Sequence, residues 1–86
     1  MKALVSRHAQ EEMVRRQIPR QWLDSVLESA EQRVPEPGGK EILQSRFTPG
    51  DGKMYLLRAV LATDKEPPVV VTVYRTSKIE KYWRAE

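Results

Sequence analysis

Apolar residues recur at two different spacings along this chain, and the change from one to the other separates a helical front part from a strand-rich remainder. Ala9 and Met13 stand four apart behind Ser6, a good N-cap, and predict a half-buried helix from about Arg7 to Arg16. Glu11 and Glu12 each precede an arginine, Arg15 and Arg16, by four positions, the interval at which opposite charges meet on a helix surface. A second helix is expected to begin at Pro19, where a missing N–H costs little. Trp22, Leu23, Val26, Leu27 and Ala30 give it a wide apolar face, which makes it the main core helix.

Beyond Ala30 the period becomes two. Arg33-Val34 reads as a brief edge strand, Glu41 to Phe47 as a second strand, Met54 to Ala62 as a third and Val69 to Thr76 as a fourth, rich in β-branched residues. The breaks Pro35-Glu36-Pro37-Gly38-Gly39 and Pro49-Gly50-Asp51-Gly52 favour hairpins, so the sheet should be mainly antiparallel. The tail from Ser77 to Trp83 carries Ile79, Tyr82 and Trp83 and is expected to form a short helical turn folded back onto the domain. The expected architecture is a single α+β domain over residues 1–86. In it, two N-terminal helices pack on a curved, mainly antiparallel four-stranded sheet with a short C-terminal helical turn.

At 86 residues there is no room for a second core. A chain this short buries only about 60–65% of the surface its unfolded form exposes, so a partner that covers apolar area is physically reasonable, whether an antitoxin-like protein or a second copy. There is no cysteine, hence no disulfide framework and no thiolate zinc site, and the single histidine, His8, cannot by itself assemble an ordinary transition-metal site. No metal and no cofactor is expected. No apolar run reaches the length of a signal peptide or of a membrane span, so the expected location is the cytoplasm, with no membrane partner. Fifteen Lys and Arg against twelve Asp and Glu leave a net charge of +3, compatible with RNA but without the dense basic tract of a dedicated binder.

Three arginines, Arg46, Arg58 and Arg75, stand in the long strands, where charge is unusual in so small a protein because a buried guanidinium needs a partner. Counting by twos groups Arg58 with Met54, Leu56, Val60 and Ala62, and Arg75 with Val69, Val71 and Val73. One helix layer covers one face of a sheet. The three arginines could therefore gather on the other face as a concave basic surface that receives phosphate through paired N–H donors. They could equally face solvent or pair with Glu41, Asp51 or Glu80. His8, in the first turn of the first helix, is a candidate general base or acid near neutral pH, and equally a structural or solvent-facing residue. Glu12, one turn later, could orient the imidazole or pair with Arg16. Tyr74, Thr76, Ser77 and Lys78 stand together at the exit of the last strand beside Lys81, Tyr82 and Arg84. Such a group can stack on an unpaired base and neutralise its phosphate, or form the edge of the core. No phosphate-binding glycine loop, paired-carboxylate or serine-triad pattern is present.

The segments SRHAQEEMVRRQIPRQWLDSVLESAEQ, GGKEILQSRF, YLLRAVL and PPVVVTVYRTSKIEKYW resemble the bacterial family described as domain of unknown function 4258. The likeness is carried most visibly by His8-Ala9, by Arg15 or Arg16, and by the closing VVTVYRTSK. That family is in turn similar to the RelE- and BrnT-type toxins, which share helices leading into a curved antiparallel sheet and, in active members, cleave RNA without metal. The resemblance therefore implies a RelE-like fold and a toxin-like, metal-independent endoribonuclease. In such enzymes a base takes the 2′-OH proton, cations stabilise the charged phosphorane and an acid protonates the leaving oxygen. On this reading His8, Arg58 and Arg75 are the catalytic candidates, and Arg46, Tyr74, Lys78 and Tyr82 the RNA-binding ones. The alternative is a non-catalytic RNA-binding or protein-interaction domain of the same fold, its contact marked by an apolar patch from Trp22, Tyr82 or Trp83.

Overall fold

Ser6 opens helix α1 (Arg7–Arg15) as its position before the first apolar pair implies: its Oγ accepts the Ala9 N–H at 3.0 Å. The same hydroxyl donates to the Val71 carbonyl at 3.4 Å, a long contact that points the helix start at the sheet. Ser6→Ala is expected to lower stability by about 1 kcal/mol, read from urea unfolding. An unchanged midpoint would mean that the cap contributes nothing. The helix ends where Gln17 turns left-handed at φ 55°, and Pro19 then serves as the N-cap of α2 (Arg20–Ser29), so that helix starts one residue later than expected.

The computed structural model describes residues 1–85, and the remaining elements are strands β1 (Leu4–Val5), β2 (Gln32–Glu36), β3 (Lys40–Phe47), β4 (Tyr55–Ala62) and β5 (Val69–Thr76), with a last turn α3 (Ile79–Tyr82). They form one sheet in the order β1-β5-β4-β3-β2. Neighbours from β2 to β5 run antiparallel, as the hairpin signals predict. The sheet has five strands rather than the expected four, because β1 adds parallel to β5 through Leu4 N–H to Pro68 O at 2.9 Å and Ser6 N–H to Val70 O at 3.0 Å. Two residues are too few to display an alternation, so this strand leaves no period in the sequence.

Helices α1 and α2 cover one face of the sheet. Ala9, Met13, Ile18, Leu23 and Val26 meet Leu43, Leu57, Ala59, Leu61, Val70 and Val73 there in the main core. The inward side of β5 is set by a bulge: Val60 faces Thr72, the next pair is Leu61 with Val70, and Val71 is left over. One extra residue reverses the parity of everything beyond it. Val70, Val73 and Arg75 therefore lie on the helix side, while Val69, Thr72, Tyr74 and Thr76 lie on the other. This corrects the grouping of Val69, Val71, Val73 and Arg75 on one face.

The opposite face is not open to water either. Val34, Ile42 and Leu56 are buried, yet none belongs to the helix-side core. They lie on the side covered by the chain end, where the Gln44 amide donates to Tyr82 O at 3.2 Å and the Gln32 amide to Arg84 O at 2.6 Å. The tail does fold back, as a third short helix in a third layer. Among the described residues no helix is long and apolar enough to cross a membrane.

Candidate functional site

Antiparallel register places Gln32 opposite Gln44, Gln44 opposite Arg58, and Arg58 opposite Tyr74. Residues that face each other across strands share a side of the sheet, so these four polar side chains form one straight row on the face away from α1 and α2. They are joined end to end. Arg58 Nη1 donates to the Tyr74 hydroxyl at 2.6 Å and Arg58 Nε to Gln44 Oε1 at 2.8 Å, while the Gln44 amide donates to Gln32 Oε1 at 2.8 Å. Gln32 Oε1 also accepts the Arg84 N–H at 3.1 Å, which fixes the tail over the row.

Arg58 is only 6% exposed, and no carboxylate lies within 4 Å of it among the described residues. Burying a cation away from water is costly, and here the cost is met by two neutral acceptors and by the Tyr82 ring, whose centroid lies 4.2 Å from the guanidinium carbon. Tyr74 and Tyr82 meet edge to face at 6.2 Å, so both candidate tyrosines belong to the same cluster as Arg58.

The other two strand arginines do not join it. Arg46 lies on the same face one row away, but Glu31 holds it through an Nη2 to Oε2 bond of 2.9 Å and an accepted backbone N–H at 2.7 Å, while Trp83 stacks on it at 4.1 Å. Hydrogen bonding from the Arg46 side chain holds the Glu31 carboxyl below the usual carboxylate range. Arg75 faces Leu57, on the helix side, and sits 5.2 Å over the Tyr55 ring. The expected basic surface of three arginines is therefore absent, because the bulge sends Arg75 to one face and leaves Arg58 and Arg46 on the other. The anticipated acidic partners are engaged elsewhere: Glu41 pairs with Arg33 at 2.6 Å, and Asp51 accepts the Tyr55 hydroxyl at 3.2 Å.

His8 is exposed on the first turn of α1. One turn on, the Glu12 carboxylate is gripped by Arg15 at 2.6 Å and Arg16 at 3.1 Å. The Arg15 hydrogen bond, ahead of the charges of Arg15, Arg16 and His8, lowers its pKa from the ordinary value. Arg16 in turn lies 5.8 Å over the Tyr74 ring. His8, Glu12 and Arg16 thus follow one another at four-residue spacing along one side of α1, and Arg16 reaches the Tyr74 ring. No hydrogen bond or ion pair joins His8 to Arg46, Arg58 or Arg75, whose partners are Glu31, Gln44 with Tyr74, and the Tyr55 ring. Lys78 stays exposed, its N–H held by Thr76 Oγ1 at 3.0 Å.

The residues that sequence reasoning passed over are Gln32 and Gln44. Gln44 carried a usable signal, an amide directly after the apolar pair Ile42-Leu43, but its partner across the sheet is known only once the register is. Among the described residues no three His, Asp or Glu side chains converge to hold a metal ion. No curated protein and no solved structure matches the chain. A family model does match, over residues 5–75, a span that takes in His8, Arg46, Arg58, Tyr74 and Arg75 and stops before α3. The chain belongs to the family described as Domain of unknown function (DUF4258).

Proposed function

We propose that this protein is a RelE-like RNA-binding domain of the cytoplasm, which takes single-stranded RNA on the rim of the sheet where β3 ends, β4 begins and β5 ends. The observation that carries the reading is the Tyr55 ring, flanked by two cations, Arg75 at 5.2 Å and Lys53 at 5.6 Å, neither of them in an ion pair among the described residues. Phe47 and Trp22, half-buried against the helix-side core, continue this aromatic row, with centroids 6.0 and 4.7 Å apart in sequence from Tyr55. Rings for bases beside unpaired cations for phosphates are the composition of a single-strand binding surface. Binding is favoured over cleavage because Arg58, one of the three catalytic candidates, is only 6% exposed and has two of its nitrogens committed to Gln44 and Tyr74.

The side of α1 that carries His8, Glu12 and Arg16 supports a second reading, the toxin-like metal-independent endoribonuclease of RelE or BrnT type, with an antitoxin-like protein or a second copy of the chain as partner. It sets a histidine, a carboxylate and two arginines close together on the helix, with Arg16 over the Tyr74 ring.

One assay separates the two. Labelled single-stranded RNA is incubated in EDTA with the wild type, with His8→Ala and with the double variant Lys53→Ala/Arg75→Ala. Intact RNA, bound with an affinity that falls as salt rises, is the expected result. The double variant should bind more weakly and reduce the salt slope by about 1.4, about 0.7 for each lost phosphate contact. Unchanged affinity in that variant would remove the rim from the site. Cleavage by the wild type and not by His8→Ala would replace binding with the endoribonuclease.

A further inference from the structure

Arg58 carries a charge that its surroundings accept without neutralising. Two of its nitrogens are committed to Gln44 and Tyr74, and Nη2 has no acceptor in the protein. No buried side-chain nitrogen or oxygen lacks a partner among the described residues, so Nη2 keeps contact with solvent. Arg58 lines a groove of about 440 Å³ on the face opposite the helices, together with Val34, Glu36 and the tail residues Lys81, Tyr82, Trp83 and Arg84.

Lys81 and Arg84 are exposed at this groove and, like Arg58, have no carboxylate within 4 Å among the described residues. Three cationic residues thus line one depression, with Lys81 Nζ 5.3 Å from the Tyr82 ring, and Glu36 is the single acid among its lining residues. The buried one is also the rigid one: Gln44 and Tyr74 hold the guanidinium plane and Tyr82 covers its face. A guanidinium fixed in this way has already lost its rotamer freedom, so the donors it still offers can select a planar or tetrahedral oxyanion rather than any nearby negative charge.

We infer that this groove is a binding site for a phosphate group, held by Arg58 from below and by Lys81 and Arg84 from the tail. The site lies on the other side of the sheet from the Tyr55 rim and does not depend on the RNA reading. Its ligand is either free phosphate or the phosphomonoester of a nucleotide.

The test is a titration of the ¹⁵N-labelled protein with inorganic phosphate, against chloride at matched ionic strength, followed by NMR. Saturable shifts of the Arg58 side chain and of the backbone amides of residues 81–84 are expected. The double variant Lys81→Ala/Arg84→Ala changes two exposed side chains and leaves the row intact. It should weaken phosphate by at least about tenfold, the size of one charge-assisted hydrogen bond, while Glu36→Gln should tighten it. Non-saturating shifts spread over the surface lysines and arginines, or an unchanged affinity in the double variant, would overturn the site. A parallel titration with adenosine monophosphate identifies the source. Tighter binding than inorganic phosphate at the same residues supports a nucleotide ligand, and equal or weaker binding supports the free anion. Lys53→Ala/Arg75→Ala should leave the phosphate titration unchanged, which keeps a failure of this site distinct from a failure of the RNA surface.

Discussion

Arg58→Ala is expected to lower the stability of the domain by about 3 kcal/mol, because it strands several groups at once. Gln44 is fully buried, and its Oε1 loses the Arg58 donor; the Tyr74 hydroxyl loses its own, and Tyr82 loses the cation beneath its ring. Each buried acceptor left without a partner costs about 1–3 kcal/mol, and the space vacated under the tail adds to it. In a domain of this size the loss corresponds to a fall in Tm of roughly 4–8 °C for each kcal/mol. Changing both partners together should recover much of it: in Arg58→Met/Gln44→Leu the charge and its main acceptor are both replaced by apolar groups, which can be nearly neutral. Urea unfolding of the two variants is the measurement. A loss below about 1 kcal/mol for the alanine variant, or a double variant no better than the single one, would mean that the row is not a coupled unit.

Leu23→Ala is expected to cost about 2–5 kcal/mol by the same measurement. Leu23 is completely buried in α2, and that helix lies over β3 and β4. Removing its isobutyl group opens a void in the helix-side core that the strands, tied to neighbours on both sides, cannot close. Arg58 and Leu23 lie on opposite faces of one sheet and share no partner, so their effects should add within about 0.5 kcal/mol. A large departure from additivity would show that the two layers fold and fail together through the strands between them.

Much of this architecture was legible in the sequence because the signals were local. Ser6 ahead of Ala9 and Met13, Pro19 ahead of Trp22 and Leu23, and the glycine-rich breaks each fix an element by chemistry within a few residues. What escaped depends on pairing. Leu4 and Val5 have no pattern of their own and become a strand only because β5 offers an edge. The bulge at Val71 is invisible in a run of valines, since Val69, Val70 and Val71 satisfy either parity, and it alone decides which face Arg75 takes. The candidate site suffered most from this. Arg58 was grouped with Arg46 and Arg75, and Tyr74 with Tyr82 and the basic residues around them, whereas the structure joins Arg58 to both tyrosines. Gln32 and Gln44, which complete their row, are separated from them by register rather than by sequence. Arg16 was legible only as half of an ion pair with Glu12, although it also reaches the Tyr74 ring.

The tail that covers Arg58 is made after every strand has been synthesised, since α3 follows β5 in the chain. A nascent chain can close its helix-side core while Arg58 and Gln44 still face water, the surroundings in which a bare guanidinium is most stable. The helix-side core contains no residue of the tail, whereas the other face is completed by it. A protease that clipped the chain before Ile79 would leave every strand in place yet turn an enclosed cation into a surface one, and so shift the electrostatic potential of that face.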